Sequence, residues 1–201
     1  GGDLYDFVPL GEKQLVMLMG DATGHGIGPA LSATQVRAML RVALRLGANL
    51  SDAFVQINNQ LCEDLPDDRF VTGFFGLLDC DRHTVRFHSG GQGPIMHYRA
   101  ATGFYDWHPA TTFPLGYMPQ DNLADPVEIA LEPGDILGLI SDGIYEYENE
   151  KGGQFGRLGL THVIDKNPRA SPDELVNKIM AAAYEHGGTA PQADDITIVL
   201  A

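Results

Sequence analysis

Leu4 to Leu10 and Leu15 to Met19 are short runs rich in apolar residues, and Gly11-Glu12-Lys13 between them is turn chemistry. The pattern predicts a β-hairpin. A turn centred on Glu12 sets residue 3 opposite residue 21, because both lie nine positions from that centre. The start of one strand then stands beside the end of the next. From Thr23 to about Gly47 the period becomes helical, with Ile27, Ala30, Leu31, Thr34, Ala38 and Val42 recurring at helical spacing and Pro29 in the first turn, where a missing N–H costs nothing. Arg37, Arg41 and Arg45 form a stripe four apart that reads as a solvated face, with contact to an acidic partner as the alternative. A second helix starts at Ser51-Asp52 and carries Phe54, Ile57 and Leu61.

Strands are predicted over Phe70 to Asp79, Thr84 to Ser89, Pro94 to Tyr98 and Phe104 to Trp107, with Asp81-Arg82-His83 turning between the first two. Pro109 to Asp125 lacks periodicity and reads as a long loop. Val127 to Leu131 and Ile136 to Ile140 read as a further hairpin across Glu132-Pro133-Gly134-Asp135. A polar loop, Tyr147 to Gln154, precedes an apolar-periodic segment from Phe155 to Ile164. Ser171-Pro172-Asp173-Glu174 is a helix start: Ser171 caps, Pro172 fits the first helical position and Glu174 completes a capping box. Leu175, Ile179 and Ala182 mark the buried face of that helix, and His186-Gly187-Gly188 its stop, before a closing strand from Ile196 to Leu200. Strands clustered in the middle, with helices grouped in pairs, predict an α+β fold of stacked sheets covered by helices.

Four aspartates attach to these runs: Asp3, Asp21 in Gly20-Asp21-Ala22-Thr23-Gly24-His25-Gly26, Asp142 in Ser141-Asp142-Gly143, and Asp194 in Asp194-Asp195-Ile196-Thr197. Asp3 and Asp21 face each other by the hairpin register. Asp142 ends one run as Asp194 begins another, so antiparallel pairing of those runs brings this second pair to a rim as well. Like charges about 4 Å apart repel by about 4 kcal/mol at an effective dielectric of about 20. A crowd of carboxylates therefore calls for hard cations, and the oxygen donor set predicts Mg²⁺ or Mn²⁺. Singly, Asp142 beside Gly143 or the Asp194-Asp195 pair reads as an ordinary turn acid; four at one predicted rim outweigh that reading. Gly20, Gly24 and Gly26 let backbone approach a ligand, and the helix start that follows favours anions such as phosphate. A nucleotide-binding loop is disfavoured, since neither Gly-Lys-Ser/Thr nor Gly-x-Gly-x-x-Gly fits there. His25 reads as a loop residue facing the site or solvent, with proton donation to phosphate as its catalytic reading. The other histidines have no metal-ligand spacing, and no serine sits in a nucleophile elbow.

The 201 residues suffice for one domain with a substantial core, and the formal net charge is −14, from 27 acidic against 13 basic residues. That balance argues against nucleic acid and against anionic membrane surfaces. Two cysteines, Cys62 and Cys80, read as reduced residues of an intracellular, cytoplasmic protein. There is no apolar run of membrane-spanning length. The chain opens without methionine on a candidate site residue and reads as a domain of something longer.

Seven segments carry a family resemblance: Gly1-Gly2-Asp3-Leu4-Tyr5-Asp6-Phe7, Gly20 to Gly26, Phe70-Val71-Thr72-Gly73-Phe74-Phe75-Gly76, Pro114-Leu115-Gly116, Ser141 to Glu146, Phe155-Gly156 and Asp194 to Thr197. In this order, across nearly the whole chain, they resemble the metal-dependent PPM-type Ser/Thr phosphatases (type 2C protein phosphatases), most closely the bacterial branch of stage II sporulation protein E type. The resemblance implies a single catalytic domain over residues 1–201, built as a four-layer α/β/β/α sandwich of two antiparallel sheets between helix pairs. It implies that Asp21 bridges two Mn²⁺ or Mg²⁺ ions, with the backbone carbonyl of Ala22 on one of them. Asp142 and Asp194 hold the other ion, and Asp3 binds directly or through water. Gly143 and Asp195 stand next to ligand positions, Asp195 orienting its turn. Water activated by the metals then attacks phosphorus in line. The implied substrates are phosphoserine or phosphothreonine on small antagonist proteins that free sigma factors, or on related signalling partners, and a sensor or receiver domain is expected upstream. Gln92 in Gly90-Gly91-Gln92-Gly93-Pro94 departs from the branch, which often has histidine there as a substrate-side contact, and the phosphate-binding arginine of eukaryotic relatives belongs to a position upstream of Gly1. Two other readings are a partner-binding regulatory module without catalysis, disfavoured by the retained acids, and a two-metal nuclease, disfavoured by the net charge.

Overall fold

The computed structural model describes all residues, Gly1–Ala201. Its first strands, β1 (Asp3–Leu10) and β2 (Gln14–Ala22), form the hairpin that the turn residues dictate, with Gly11 at φ +73° and a register running from Asp3 opposite Asp21 to Leu10 opposite Gln14. The next elements are α1 (Ile27–Arg45), α2 (Leu50–Asp64), β3 (Val71–Asp79), β4 (Thr84–Gly90), β5 (Ile95–Arg99), β6 (Phe104–His108), β7 (Val127–Ala130) and β8 (Ile136–Ile140). The one-turn α3 (Asp142–Tyr145), α4 (Gly156–Lys166), α5 (Pro172–Gly187) and β9 (Ile198–Leu200) complete the chain.

The chain divides into two compact units. The first comprises Gly1–Pro94 and His108–Glu132. Its five-stranded antiparallel sheet has the order β1-β2-β3-β4-β7 and carries α1 over β1 and β2, and α2 over β3 and β4. Leu4, Val16 and Leu18 from the sheet bury against Val36 and Leu40 of α1 and Phe54, Ile57 and Leu61 of α2. Asn49 caps α2, its side chain accepting from the Asp52 N–H. The loop from Pro109 has no regular element, yet Leu115 within it is fully buried and exchanges two backbone hydrogen bonds with Val71.

The second unit comprises Ile95–Trp107 and Pro133–Ala201. Its four-stranded sheet has the order β6-β5-β8-β9, and α4 and α5 pack together with α5 against β9. Met96, Ile140, Ile144, Leu160, Ile164 and Ile179 form its core. The capping box of α5 is complete: the Ser171 hydroxyl accepts from the Glu174 N–H, and the Glu174 carboxylate from the Ser171 N–H. Each sheet thus carries its own helix pair, the mixed α+β composition that the pattern predicts.

Two expectations are overturned. The segments Val127–Ala130 and Ile136–Ile140 do not form a hairpin, because β7 pairs with β4 in one sheet and β8 with β5 and β9 in the other. Hydrogen bonding decides between these partners. The Leu131 N–H prolongs the β4–β7 ladder to the His83 carbonyl, while the Asp135 carboxylate is taken by His97 and by the Ala100 N–H at the other end.

The second correction is the rotation of α1, which also starts at Ile27 rather than at Thr23. Its packed face is Pro29, Ala33, Val36 and Leu40, whereas Ile27, Ala30, Leu31, Thr34, Ala38 and Val42 face outward. Both stripes are apolar, so periodicity alone does not choose between them. The choice is fixed by Asp6, buried on β1, whose carboxylate accepts from Arg41 Nε at 2.5 Å and Nη2 at 2.6 Å, with Arg37 Nε at 3.2 Å. The arginine stripe is therefore a clamp between α1 and the edge strand rather than a merely solvated face. The hydrogen bond from Arg41, aided by Arg37, holds the Asp6 carboxyl below the usual carboxylate range.

The folded-state pKa of Asp6 is depressed, so its contribution to stability is present above about pH 4, the unfolded value, and is lost as pH falls through the lower folded value. Asp6→Asn is expected to cost about 1–2 kcal/mol near neutral pH, a modest figure because both arginines are partly open to water. The deficit relative to the parent should shrink under acid. Urea unfolding of both proteins at pH 7 and pH 3 checks this; an equal deficit at both values would show that the clamp acts through packing alone.

Candidate metal centre

The first pair of acids is set by strand register. Asp3 opens β1 opposite Asp21 near the end of β2, and Asp21 in turn lies opposite Thr72 of β3. Gly2 permits close approach: a Cβ at that position would lie 2.3 Å from Asp21 Oδ1 and 2.5 Å from the Ala22 carbonyl oxygen. Two oxygens, one carboxylate and one carbonyl, are thus brought together over a position that only glycine can fill. The Asp21 N–H donates to Thr72 Oγ1 at 3.2 Å, and the Thr72 hydroxyl donates to Gln92 Oε1 at 2.7 Å.

Beyond Ala22 the chain is pinned once more before it turns. Thr23 donates its N–H to the Phe70 carbonyl, and its hydroxyl accepts the Phe70 N–H. Gly24 and Gly26, at φ +94° and +93°, then swing the chain into α1, a reversal that L side chains resist. His25 between them is exposed. The guanidinium of Arg69 lies over the first turn of α1, where a Cβ on Gly28 would stand 2.5 Å from Nη1.

The second pair belongs to the other unit. Buried Ser141 ends β8 and ties it to the segment entering β9: its N–H donates to the Thr197 carbonyl, and its Oγ accepts the Thr197 N–H, each at 2.9 Å. Asp142 follows, exposed, as the first residue of α3. A Cβ on Gly143 would lie 2.0 Å from the Asp195 carbonyl oxygen, so the Asp142-Gly143 and Asp194-Asp195 backbones are in direct contact. Asp194 Oδ1 accepts the Asp195 N–H at 2.8 Å. Glu146, Glu148, Glu150 and Asp194 border a cavity of about 690 Å³ beside this contact.

The acids therefore come together as two pairs, Asp3 with Asp21 and Asp142 with the Asp194-Asp195 turn. No group of three or more His, Cys, Asp or Glu side chains is arranged to hold a metal ion. The donor chemistry nevertheless suits a hard divalent cation: every candidate ligand is an oxygen, and the Gly2 cradle leaves the Asp21 carboxylate and the Ala22 carbonyl side by side.

Arg69 is a neighbour of this site that the sequence did not single out, while Thr72 and Gln92 entered only through the family resemblance and with no role toward Asp21. The placement of Thr72 at Asp21 is legible only through the β2–β3 register, and Arg69 only through its contact with Gly28. Gln92 occupies the position expected to make a substrate-side contact, but it is 7% exposed and turned onto Thr72.

Comparison with known proteins covers nearly the whole chain. The profile of the stage II sporulation protein E (SpoIIE) family matches residues 11–201. The phosphoserine phosphatase RsbU of Bacillus subtilis (strain 168) is 27% identical over 179 residues, covering 89% of this chain and 52% of RsbU. The chain thus spans about half the length of that curated relative. Among solved structures, the SiaA-PP2C domain of Pseudomonas aeruginosa superposes with a TM-score of 0.85 at 20% identity, over 100% of this chain and 80% of that one. RsbX, solved in complex with magnesium, matches with a TM-score of 0.72 at 14% identity, over 99% of this chain and 85% of its own. The fold is that of the PP2C domain.

The contact at Gly143 offers a direct test of how tightly the second pair is built. Gly143→Ala forces a methyl group onto a backbone oxygen and is expected to destabilise by about 1–3 kcal/mol. Gly1→Ala meets its nearest atom at 3.4 Å and should change stability by less than about 0.5 kcal/mol. Thermal melts of the two variants check the contrast, and equal melting temperatures would contradict it.

Proposed function

The chain belongs to the stage II sporulation protein E family, and we propose that it is a metal-dependent protein phosphatase that hydrolyses phosphoserine or phosphothreonine on a bacterial signalling partner. The observation that carries this reading is the Asp3–Asp21 pairing, with the Ala22 carbonyl held beside the Asp21 carboxylate over Gly2. Support comes from the name of RsbU, a phosphoserine phosphatase, and from the magnesium in the RsbX structure. A partner that antagonises an anti-sigma factor fits this family, and a sensor or receiver domain upstream fits the greater length of the relative. The reading places the reaction on a protein partner in the cytoplasm; no helix is long and apolar enough to cross a membrane.

In this reading Asp21, the Ala22 carbonyl and Asp3 would hold one Mg²⁺ or Mn²⁺ ion, and Asp142 and Asp194 would hold the other. When bound, such ions lower the pKa of water and offset charge on the phosphoryl oxygens. The chain's own residues supply the order. The strand register holds the backbones of Asp3 and Asp21 opposite each other at one end of the sheet. The backbone contact between Gly143 and Asp195 sets the segments that carry Asp142 and Asp194 side by side. Net hydrolysis consumes one water, breaks the phosphorus–oxygen ester bond, and returns the serine or threonine hydroxyl with inorganic phosphate. His25, on an exposed loop between two glycines, can protonate the departing oxygen without being fixed for it.

Hydrolysis of a phosphoserine peptide and of p-nitrophenyl phosphate should require Mn²⁺ or Mg²⁺ and vanish in excess EDTA. Asp21→Asn should lose at least about a hundredfold in kcat. His25→Ala should lose less than about tenfold, below the range of a committed general acid. Steady-state kinetics with and without chelator decide the matter; full activity in EDTA contradicts the metal-dependent reading, and equal losses would make His25 a principal acid.

A further inference from the structure

We infer that Gln92 and Thr72 are positioning residues for Asp21, a two-member hydrogen-bond relay that fixes the backbone from which this carboxylate projects. The inference rests on Asp21 acting as the metal ligand of the proposed phosphatase. All three residues belong to the same compact unit, and Thr72 lies directly across the β2–β3 pair from Asp21.

The direction of the relay follows from counting protons. A threonine hydroxyl has one proton to give and lone pairs to receive. Thr72 Oγ1 stands 2.7 Å from Gln92 Oε1 and 3.3 Å from the Asp21 carbonyl oxygen, so the proton goes to the nearer acceptor, the amide. That choice turns an Oγ1 lone pair toward the Asp21 N–H, which donates to it at 3.2 Å. Without the amide acceptor the hydroxyl rotates toward the Asp21 carbonyl, and the N–H of Asp21 loses an oriented partner. Gln92 thus governs Asp21 although the two side chains share no hydrogen bond.

The amide is held for this task. Gln92 is 7% exposed, and the Ser89 hydroxyl donates to its main-chain carbonyl, which anchors the backbone that carries the amide. The preceding Gly91 has φ +70°, and a Cβ there would lie 2.6 Å from Pro114 Cγ, so the turn cannot relax by accepting a larger residue. A buried amide oxygen that loses its donor pays a desolvation penalty, so the hydrogen bond to Thr72 is favoured in the folded state. Asp21 is also the last residue but one of its strand, just before the chain leaves the ladder for the Gly24 to Gly26 turn. There a side-chain partner for the backbone N–H sets the carboxylate's position.

The test compares Thr72→Val, Gln92→Leu, the double variant and Thr72→Ser, using two readouts: steady-state kinetics on p-nitrophenyl phosphate, and the Mn²⁺ concentration that gives half of the metal-induced rise in melting temperature. Partners of metal ligands typically govern roughly 10–100-fold in metal affinity or activity, so Thr72→Val and Gln92→Leu should each raise the Mn²⁺ midpoint and lower kcat within that range. KM should stay within about twofold, since neither residue is assigned to the substrate. The double variant should be no worse than the poorer single variant, because the two act as one unit, and Thr72→Ser, which keeps the hydroxyl, should stay close to the parent. Melting in EDTA identifies variants that merely fold poorly. If Thr72→Val and Gln92→Leu keep the parental Mn²⁺ midpoint, or if their effects simply add, the relay is wrong while the phosphatase reading stands. A parent that shows neither hydrolysis nor a response to Mn²⁺ overturns both.

Discussion

Asp3 and Asp21 are held opposite each other by the β1–β2 register, and neither can move away without breaking the hairpin. Each further feature of the first unit serves this arrangement. Gly2 has no side chain, so the Asp21 carboxylate and the Ala22 carbonyl share its space. Thr23 is tied to Phe70 by its backbone and its hydroxyl, so the segment leaves the ladder at a fixed point. A sheet that concentrates carboxylate charge in this way is stabilised less than its buried surface alone would provide, unless cations join it.

The edge strand carrying Asp3 would be the weakest part of such a site, because β1 pairs on one side only. Asp6, three residues further along, is where α1 takes hold of it through Arg41 and Arg37. The same helix begins just beyond the Asp21 loop, so both acids of the pair are tied to one element. The clamp leaves an apolar stripe of α1 facing outward, with Ile27 at 80% and Leu31 at 65% exposure.

The parts of this arrangement that were legible in the sequence are those set by local chemistry. A three-residue turn with glycine fixed the β1–β2 register, and with it the pairing of Asp3 and Asp21. The capping box at Ser171 announced α5 for the same reason, since both partners lie within four residues of chain. Choices between distant partners were not legible. The segment Ile136 to Ile140 has the pattern of a strand but nothing in it names β5 as neighbour; the bonds of Asp135 to His97 and Ala100 do. The rotation of α1 escaped because both of its faces carry apolar residues and the decision lies with a buried acid on another strand. Gln92 stood out only as a departure from the family pattern, and its contact with Thr72 exists only once β3 and β4 have paired.

The central claim is that the paired acids of this chain bind a divalent cation, and the most direct measurement is the melting temperature of the parent and of Asp194→Asn in EDTA and across a Mn²⁺ titration. Asparagine keeps the Oδ1 that accepts the Asp195 N–H and removes one negative charge. The variant should therefore melt higher than the parent in EDTA, by the equivalent of about 1 kcal/mol. With Mn²⁺ the parent should rise in melting temperature as the metal exceeds its dissociation constant, and the variant should rise less. A variant that melts lower in EDTA, or that gains as much from Mn²⁺ as the parent, would contradict the claim.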